Sequence, residues 1–469
     1  MNTSARSLTR SPRSVSRKPP TRRGPWGAAT AFAAKALSLL GGVAVCSIGL
    51  LALGSVGCGR PVAHVLADLA VSGASHPTLP RPDALSESAR AAGYRILGGD
   101  LHCHVRPPDG YPHVSRTVAE TVALAREEKL DFVVLTPHLR AGFFLDEGRR
   151  AVAIAQQRTL AEEVRRAAGS GPVFVVGFEY TDFTYGHLGA SFGDLEAVLA
   201  AVPVHEAQAR PGRFFDEYVR RGGFLVINHP LLVPLDTLIP WARYDMSWQP
   251  FTRRMPEPFP DEIMTAGRLA QGIEVFNLAV SEMRDRLMLF DRHHSLREAM
   301  RLVDWQITLR PRRFVPVGGS DSHSAHLRAT TFVLASARTP ESIRDALRAG
   351  RVCVREPAAC SLEARGEGTA GQGSVWSPVG SSLHDVHRLV VRTRGERARI
   401  LLNGRALAPE GPGRDIEVTV DPRWCSVVRA EVDGGYSAPI YVNCGDLGGD
   451  PLEPPQPASS VARFTPDTP

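Results

Sequence analysis

The chain has 469 residues, 43% hydrophobic and 22% charged, enough for two or three domains with substantial cores. Its formal charge of +6 is carried at the N-terminus: residues 1–60 hold nine Lys or Arg and no acid, leaving 46 bases against 49 acids beyond them. The rest is therefore near neutral, which removes the electrostatic case for nucleic acid as a partner.

Arg6, Arg10, Arg13, Arg17, Lys18, Arg22 and Arg23 precede an uncharged run from Ala36 to Gly57. That run is long enough to span a bilayer, with the basic flank on the cytoplasmic side. It reads as a cleaved signal, a retained anchor or a lipoprotein signal ending at Cys58. Each alternative puts the remainder outside the cytoplasm, on the cell-envelope or periplasmic side, with the membrane as a partner through residues 1–60. Residues 61–93, rich in Pro, Ser and Ala, read as a linker with one short helix.

From residue 94 apolar runs alternate with helical stretches. Tyr94 to Leu97 is strand-like and leads to His102-Cys103-His104, where the two histidines share one face of a strand. Thr117 to Lys129 is helical, Phe132 to Leu135 a strand before His138, and Gln156 to Ala168 a helix. Val173 to Val176 runs into Glu179; Phe214 to Arg221 is helical; Phe224 to Ile227 ends at Asn228-His229. Ile273 to Phe276 ends at Asn277, Phe314 to Val317 leads to Asp321-Ser322-His323, and Pro340 to Ala349 is the last helix. Mostly apolar strands separated by helices predict a parallel sheet covered on both faces or closed into a barrel. Nearly every strand delivers His, Asp or Glu just past its C-terminal end, the rim where α/β barrels collect catalytic groups. Residues 233–265, with Trp241, Trp248 and Phe251, form an insert that reads either as a substrate wall or as a loop packed by its own aromatics. Residues 94–356 make up this domain.

Residues 357–446 change character: short strands separated by Asn403-Gly404, Asp433-Gly434 and other turns predict a β-sandwich, followed by a Pro-rich tail over 447–469. Cys360, Cys425 and Cys444 allow one disulfide in an oxidising compartment, with the pair left open.

The strand-end residues are His102, His104, Asp109, His138, Glu179, His187, His229, Asp321 and His323. Nine such ligands exceed what one divalent ion takes, so two or three ions are expected, with Glu179 able to bridge two of them. In order, Asp-Leu-His-Cys-His, Asp109-Gly110, His138, Gly177-Phe178-Glu179, Asn228-His229-Pro230 and Gly319-Ser320-Asp321-Ser322-His323 resemble the motifs of the PHP (polymerase and histidinol phosphatase) superfamily over residues 96–355. Gly186-His187, Glu274 to Asn277, Thr330 to Val333 and Ala438 to Val442 resemble its carbaryl-hydrolase-like branch. The resemblance implies a distorted (β/α)7 barrel with two or three Zn, Mn or Fe ions at the strand C-termini. It implies a first ion on His102, His104, Glu179 and Asp321, a second on Glu179, His187 and His229, and a third on Asp109, His138 and His323. Thr136-Pro137-His138 departs from the usual Thr-Asp-His and so lacks an orienting carboxylate there.

Clustered divalent ions lower the pKa of a bound water enough to supply hydroxide near neutral pH. Hydrolysis of a small ester, amide or carbamate is expected, with PHP-type phosphoester hydrolysis as the alternative and a non-catalytic, metal-stabilised binding protein as the competing class. Asp321 or His323 is expected to accept a proton, and Arg140, Asn277 and His326 to hold a small-molecule substrate. Arg140 and Arg328 are the two residues suited to a phosphate clamp. His113, His205, His293, His294, His384 and His387 lie off the pattern and read as surface residues.

Overall fold

The apolar runs form strands in the computed structural model, which describes residues 62–73, 84–111, 113–169, 171–233, 245–289, 296–309, 311–368, 375–445 and 447. The expected leader, Trp241, His293, His294 and the tail beyond Leu447 lie outside the described residues. Eleven strands concern the site: β1 (Arg95–Cys103), β2 (Phe132–Leu135), β3 (His138–Arg140), β4 (Val173–Val176), β5 (Phe178–Asp182), β6 (Gly186–Ser191), β7 (Phe224–Ile227), β8 (Gly272–Asn277), β9 (Val315–Gly319), β10 (Thr331–Ala335) and β11 (Val352–Val354).

The fold is mixed α/β. One sheet runs β4-β2-β1-β10-β11 and continues into C-terminal strands, while the other runs β3-β5-β6-β7-β8-β9. Past the strand ends the two are stitched together, Asp321 N donating to His102 O (2.8 Å) and His104 N to Ser322 O (3.0 Å). The pairing is not uniformly parallel as expected. β1 with β10, and β5 with β6 and β6 with β7, run antiparallel. A tight return causes the second departure: Asp182 Oδ1 accepts from Thr184 N (2.8 Å) and Tyr185 N (2.9 Å), and Gly186 sits at φ +114°. Three residues therefore separate β5 from β6, too few for a crossover helix.

Local chemistry fixes the helix ends. Thr117 and Glu120 form a reciprocal capping box on Val118–Glu127, and Asp146 caps Glu147–Ala167, which starts nine residues before the expected Gln156. The segment read as a linker contains the helix Val62–Ser72, whose Ala67 and Ala70 pack on Ala279 and Met283 of the helix Leu278–Leu287. Part of the insert is core rather than loop, since Trp248 is buried and Gln249 N donates to Tyr185 O (2.9 Å) on the β5–β6 return.

The C-terminal region is β-rich. A four-stranded sheet built on Glu363–Gly368 and Val386–Arg392 shares one core with Ala398–Leu402, Ser426–Val432 and Ile440–Val442. Here β11 pairs with Gly435–Ser437, so the first sheet crosses from one half of the chain into the other. Two disulfides form rather than the one expected, Cys353–Cys360 and Cys425–Cys444, the first recruiting a cysteine at the end of the preceding domain.

Candidate metal centre

β1 delivers its histidines as the two-residue period requires. His102 and His104 face inward and their Nε2 atoms stand 3.1 Å apart, while the buried Cys103 turns away, its Sγ 3.1 Å from Arg116 Nη2. One of these nitrogens can donate to the other, and both also face carboxylates, His102 Nε2 that of Glu179 and His104 Nε2 that of Asp321. The parallel register of β3 with β5 sets His138 opposite Glu179, and the β5–β6 return sets His187 opposite Thr181.

Glu179 is the hub. Its Oε1 lies 3.1 Å from His102 Nε2, 3.3 Å from His187 Nδ1 and 3.5 Å from His229 Nε2. Its Oε2 lies 3.4 Å from His138 Nε2 and 3.9 Å from His104 Nε2. Asp321 Oδ1 closes the other side, 3.5 Å from His102 Nε2 and 3.4 Å from His104 Nε2. His229 (φ 26°) and Asp321 (φ 50°) both sit in the left-handed region, which costs a non-glycine residue about 1–3 kcal/mol and is found where a site dictates the backbone.

Other carboxylates and amides aim these ligands. Glu274 Oε1 is 3.1 Å from His102 Nδ1, and its Oε2 accepts from His229 N (2.7 Å) and Asn277 Nδ2 (3.1 Å). Asn277 Nδ2 also donates to Asp321 Oδ2 (3.1 Å), so Asn277 positions a ligand rather than a substrate. Asn228 Nδ2 donates to Glu179 Oε1 (2.8 Å). Asp109 stands behind the centre instead of within it: its oxygens lie 3.2 Å from both His104 Nδ1 and His138 Nδ1, and it accepts from His138 N (3.0 Å). That supplies the orienting carboxylate which the Thr-Pro-His departure removed. Gly319 leaves no room for a Cβ against Glu274 Oε1 and His102 Cβ, so a glycine is required where β9 crosses this pair.

Burial penalises every charge here, and pairing overrides the penalty. Against desolvation, Asp321, Glu274 and Glu179 hold His102 well above the usual imidazole range, and Asp109 and Asp321 raise His104 to about 9. Burial is likewise outweighed for Glu179, by His187 and His102, and for Asp321, by His102 and His104, so both carboxyls stay well below their ordinary values. Divalent cations would supply the same positive charge without the protons. His187 Nε2, His229 Nδ1 and His323 Nε2 are buried without a hydrogen-bond partner. Within 4.8 Å of one another lie ligand atoms of His102, His104 and Glu179; of Glu179, His187 and His229; of His102, His229 and Asp321; and of His104, His138 and His323. The donor set fits divalent transition-metal ions.

The nine expected residues are thus brought together, with Asp109 one layer back. Arg140 is exposed and lies two residues beyond His138 on the same side of β3. Arg328 is buried and Nη2 donates to Val71 O (3.1 Å), so it faces the helix Val62–Ser72 and not the centre. His326 Nδ1 is 2.7 Å from Asp68 Oδ1, a second contact with that helix. Sequence reasoning missed two histidines: His64, and His113, which lies beside His323 and His138 with ring centroids 4.8 Å away. It also gave no role to Glu274, although Glu274 sits one β8 residue removed from Phe276-Asn277 in a strand otherwise apolar.

No family model matches the chain, and no curated protein matches it. Among solved structures it is similar to a two-domain protein from Bacteroides vulgatus described as containing a predicted PHP-like metal-dependent phosphoesterase, at 16% identity over 78% of this chain and 100% of that one, with a TM-score of 0.38. PsfC from Pseudomonas syringae gives 18% identity over 54% of this chain and 88% of its own, with a TM-score of 0.31. A candidate metal-dependent phosphoesterase from Bifidobacterium adolescentis gives 14% identity over 54% and 96%, with a TM-score of 0.29. At such scores, what this chain does has to be read from its own residues.

Proposed function

We propose that the chain is a metal-dependent hydrolase with two or three Zn, Mn or Fe ions, acting on a small ester, amide or carbamate. One observation carries this reading: the buried Glu179 has five histidine nitrogens within 3.1–3.9 Å, divided between its two oxygens. A carboxylate that merely stabilised a core has about four lone-pair sites to satisfy, and Asn228 already fills one of them. A carboxylate shared between two ions needs this surplus.

His102, His104, Glu179 and Asp321 would hold one ion, and Glu179, His187 and His229 a second; the resemblance assigned a third to Asp109, His138 and His323. Bound there, such ions supply an activated water near neutral pH and polarise the substrate oxygen. The chain's own residues do the rest. Asn277 holds Asp321 Oδ2 and leaves Oδ1 facing the centre, so Asp321 accepts the proton released on attack; His323 is the second candidate for that role. Arg140 holds the polar end of the substrate at the exposed side of β3. The two sheets would together make the distorted barrel that the resemblance implies, and the carbaryl-hydrolase-like motifs favour acyl-type bonds.

Phosphoester cleavage is the second reading, favoured by Arg140 as an exposed cation beside His138. Arg328, its expected partner in a phosphate clamp, is occupied elsewhere. The test is hydrolysis of nitrophenyl acetate, nitrophenyl phosphate and a nitrophenyl phosphodiester by the full-length chain, with and without chelator. Hydrolysis of only the acetate supports the first reading, hydrolysis of only the phosphates the second, and activity that survives chelation refutes both.

We further propose that the protein is exported and membrane-tethered by residues 36–57. The two disulfides support an oxidising compartment. No helix among the described residues is long and apolar enough to cross a membrane, and residues 36–57 lie outside them. Fractionation of expressing cells tests this: recovery in the soluble cytoplasmic fraction refutes it.

A further inference from the structure

The helix Val62–Ser72 is pinned to the loop that carries Asp321 and His323. Asp68 Oδ1 accepts from Ser324 Oγ (2.7 Å) and Ala325 N (3.0 Å) and lies 2.7 Å from His326 Nδ1, while Arg328 holds the helix at Val71 O. His64 is one helical turn before Asp68 and so shares its face. Its ring stacks on His323 with centroids 4.6 Å apart, and His113 lies 5.4 Å from His64 and 4.8 Å from His323. His64, His113 and His323 each offer a ligand atom, all within 4.8 Å of one another.

His323 decides which neighbours it serves. Its Nδ1 is 2.9 Å from Asp321 O; a carbonyl only accepts, so Nδ1 carries the proton and Nε2 the lone pair. That Nε2 is buried without a partner and can bind one ion only. His104 and His138 turn Nε2 toward Glu179 Oε2, 3.9 and 3.4 Å away, and so toward the central ions. His64 and His113 are the imidazoles left to it.

We propose that His64, His113 and His323 hold a transition-metal ion at the mouth of the site, making the helix Val62–Ser72 a ligand-bearing part of the catalytic domain. The inference rests on the metal-centre reading only through His323, which it removes from the set with Asp109 and His138 and so leaves Asp321 the proton acceptor. Three imidazoles without a carboxylate suit Zn2+ rather than Mg2+ or Ca2+, and a three-histidine set leaves a position open for water or substrate.

The experiment loads the full-length chain with Zn2+, dialyses it, and counts metal by mass spectrometry, with Co2+ substitution as an optical readout. The double variant His64→Ala/His113→Ala should lose about one ion per chain and one component of the Co2+ spectrum. Glu179→Gln should lose the central ions and retain that component. An unchanged count and spectrum in the double variant overturn the inference while the central reading stands. Loss of every ion from Glu179→Gln overturns it too. Retention of every ion by Glu179→Gln, with one lost from the double variant, supports the outer site and sinks the central reading. Should the double variant unfold by circular dichroism, His113→Ala alone, at an exposed side chain, gives the same readout.

Discussion

Glu274→Gln is the sharpest probe of how the centre is aimed. The substitution keeps size and shape at a site that is 2% exposed. One side-chain oxygen of Glu274 already accepts from His229 N and Asn277 Nδ2, both obligate donors, so the amide oxygen of glutamine must face them. The amide nitrogen is then left 3.1 Å from His102 Nδ1 and donates to it. With Nδ1 forced to accept, the imidazole proton moves to Nε2, the atom that faces Glu179, His104 and Asp321 and would ligate the ion. Losing an orienting partner of this kind typically costs about 10–100-fold in metal affinity or activity, roughly 1.4–2.7 kcal/mol. Competition titration of Zn2+ against a chromogenic chelator, on wild type and variant, measures the change. An affinity within about twofold of wild type, with the fold intact, would refute the assignment of His102 Nε2 as the ligating atom.

Three further outcomes follow from the same structure. Arg429, whose side chain is 4% exposed, grips Asp304 with Nη2 and Nε each 2.8 Å from an oxygen, so Arg429→Ala should strand a buried carboxylate and cost about 3–5 kcal/mol in chemical denaturation; a change under about 1 kcal/mol counts against it. In the chelator-stripped chain, His104 is raised to about 9, so its pairing stabilises fully below the ordinary imidazole value and is lost as pH rises toward about 9. Asp109 is held below its ordinary value, chiefly by His104 and His138 against burial, so its contribution is lost as pH falls through the carboxylate range. The melting temperature of the stripped chain should therefore peak between about pH 4 and 6.5, and a steady rise from pH 5 to 9 would contradict this. Reduction of Cys425–Cys444, which closes a separation of 19 residues, should destabilise the β-rich region by about 3 kcal/mol, read as a lower melting temperature in reductant.

Much of the site was legible because its signals are local. His102 and His104 share a face by the period of a strand, and Asp321 and His323 follow an apolar run that had to be a strand, so both pairs could be placed from spacing alone. Glu179 could be marked as a candidate ligand because it follows another such run. Tertiary structure alone decided what lies behind these ligands and over them. Asp109 reads in sequence as one more ligand, but packing turns its oxygens onto His104 and His138. Glu274 reads as a strand residue until the meeting of the two sheets sets its Oε1 3.1 Å from His102 Nδ1. The β5–β6 return could not be read from apolar runs, because β6 carries Gly186, His187 and Gly189 and lacks the hydrophobic pattern of its neighbours. Composition was enough to mark residues 61–93 as Pro- and Ser-rich, yet nothing within them says that Ala67, Ala70 and Asp68 meet partners more than 200 residues away. Residue order fixes faces and strand ends through short-range geometry; which face meets which, and therefore whether His64 reaches His323, depends on contacts that exist only once the distant segments have packed.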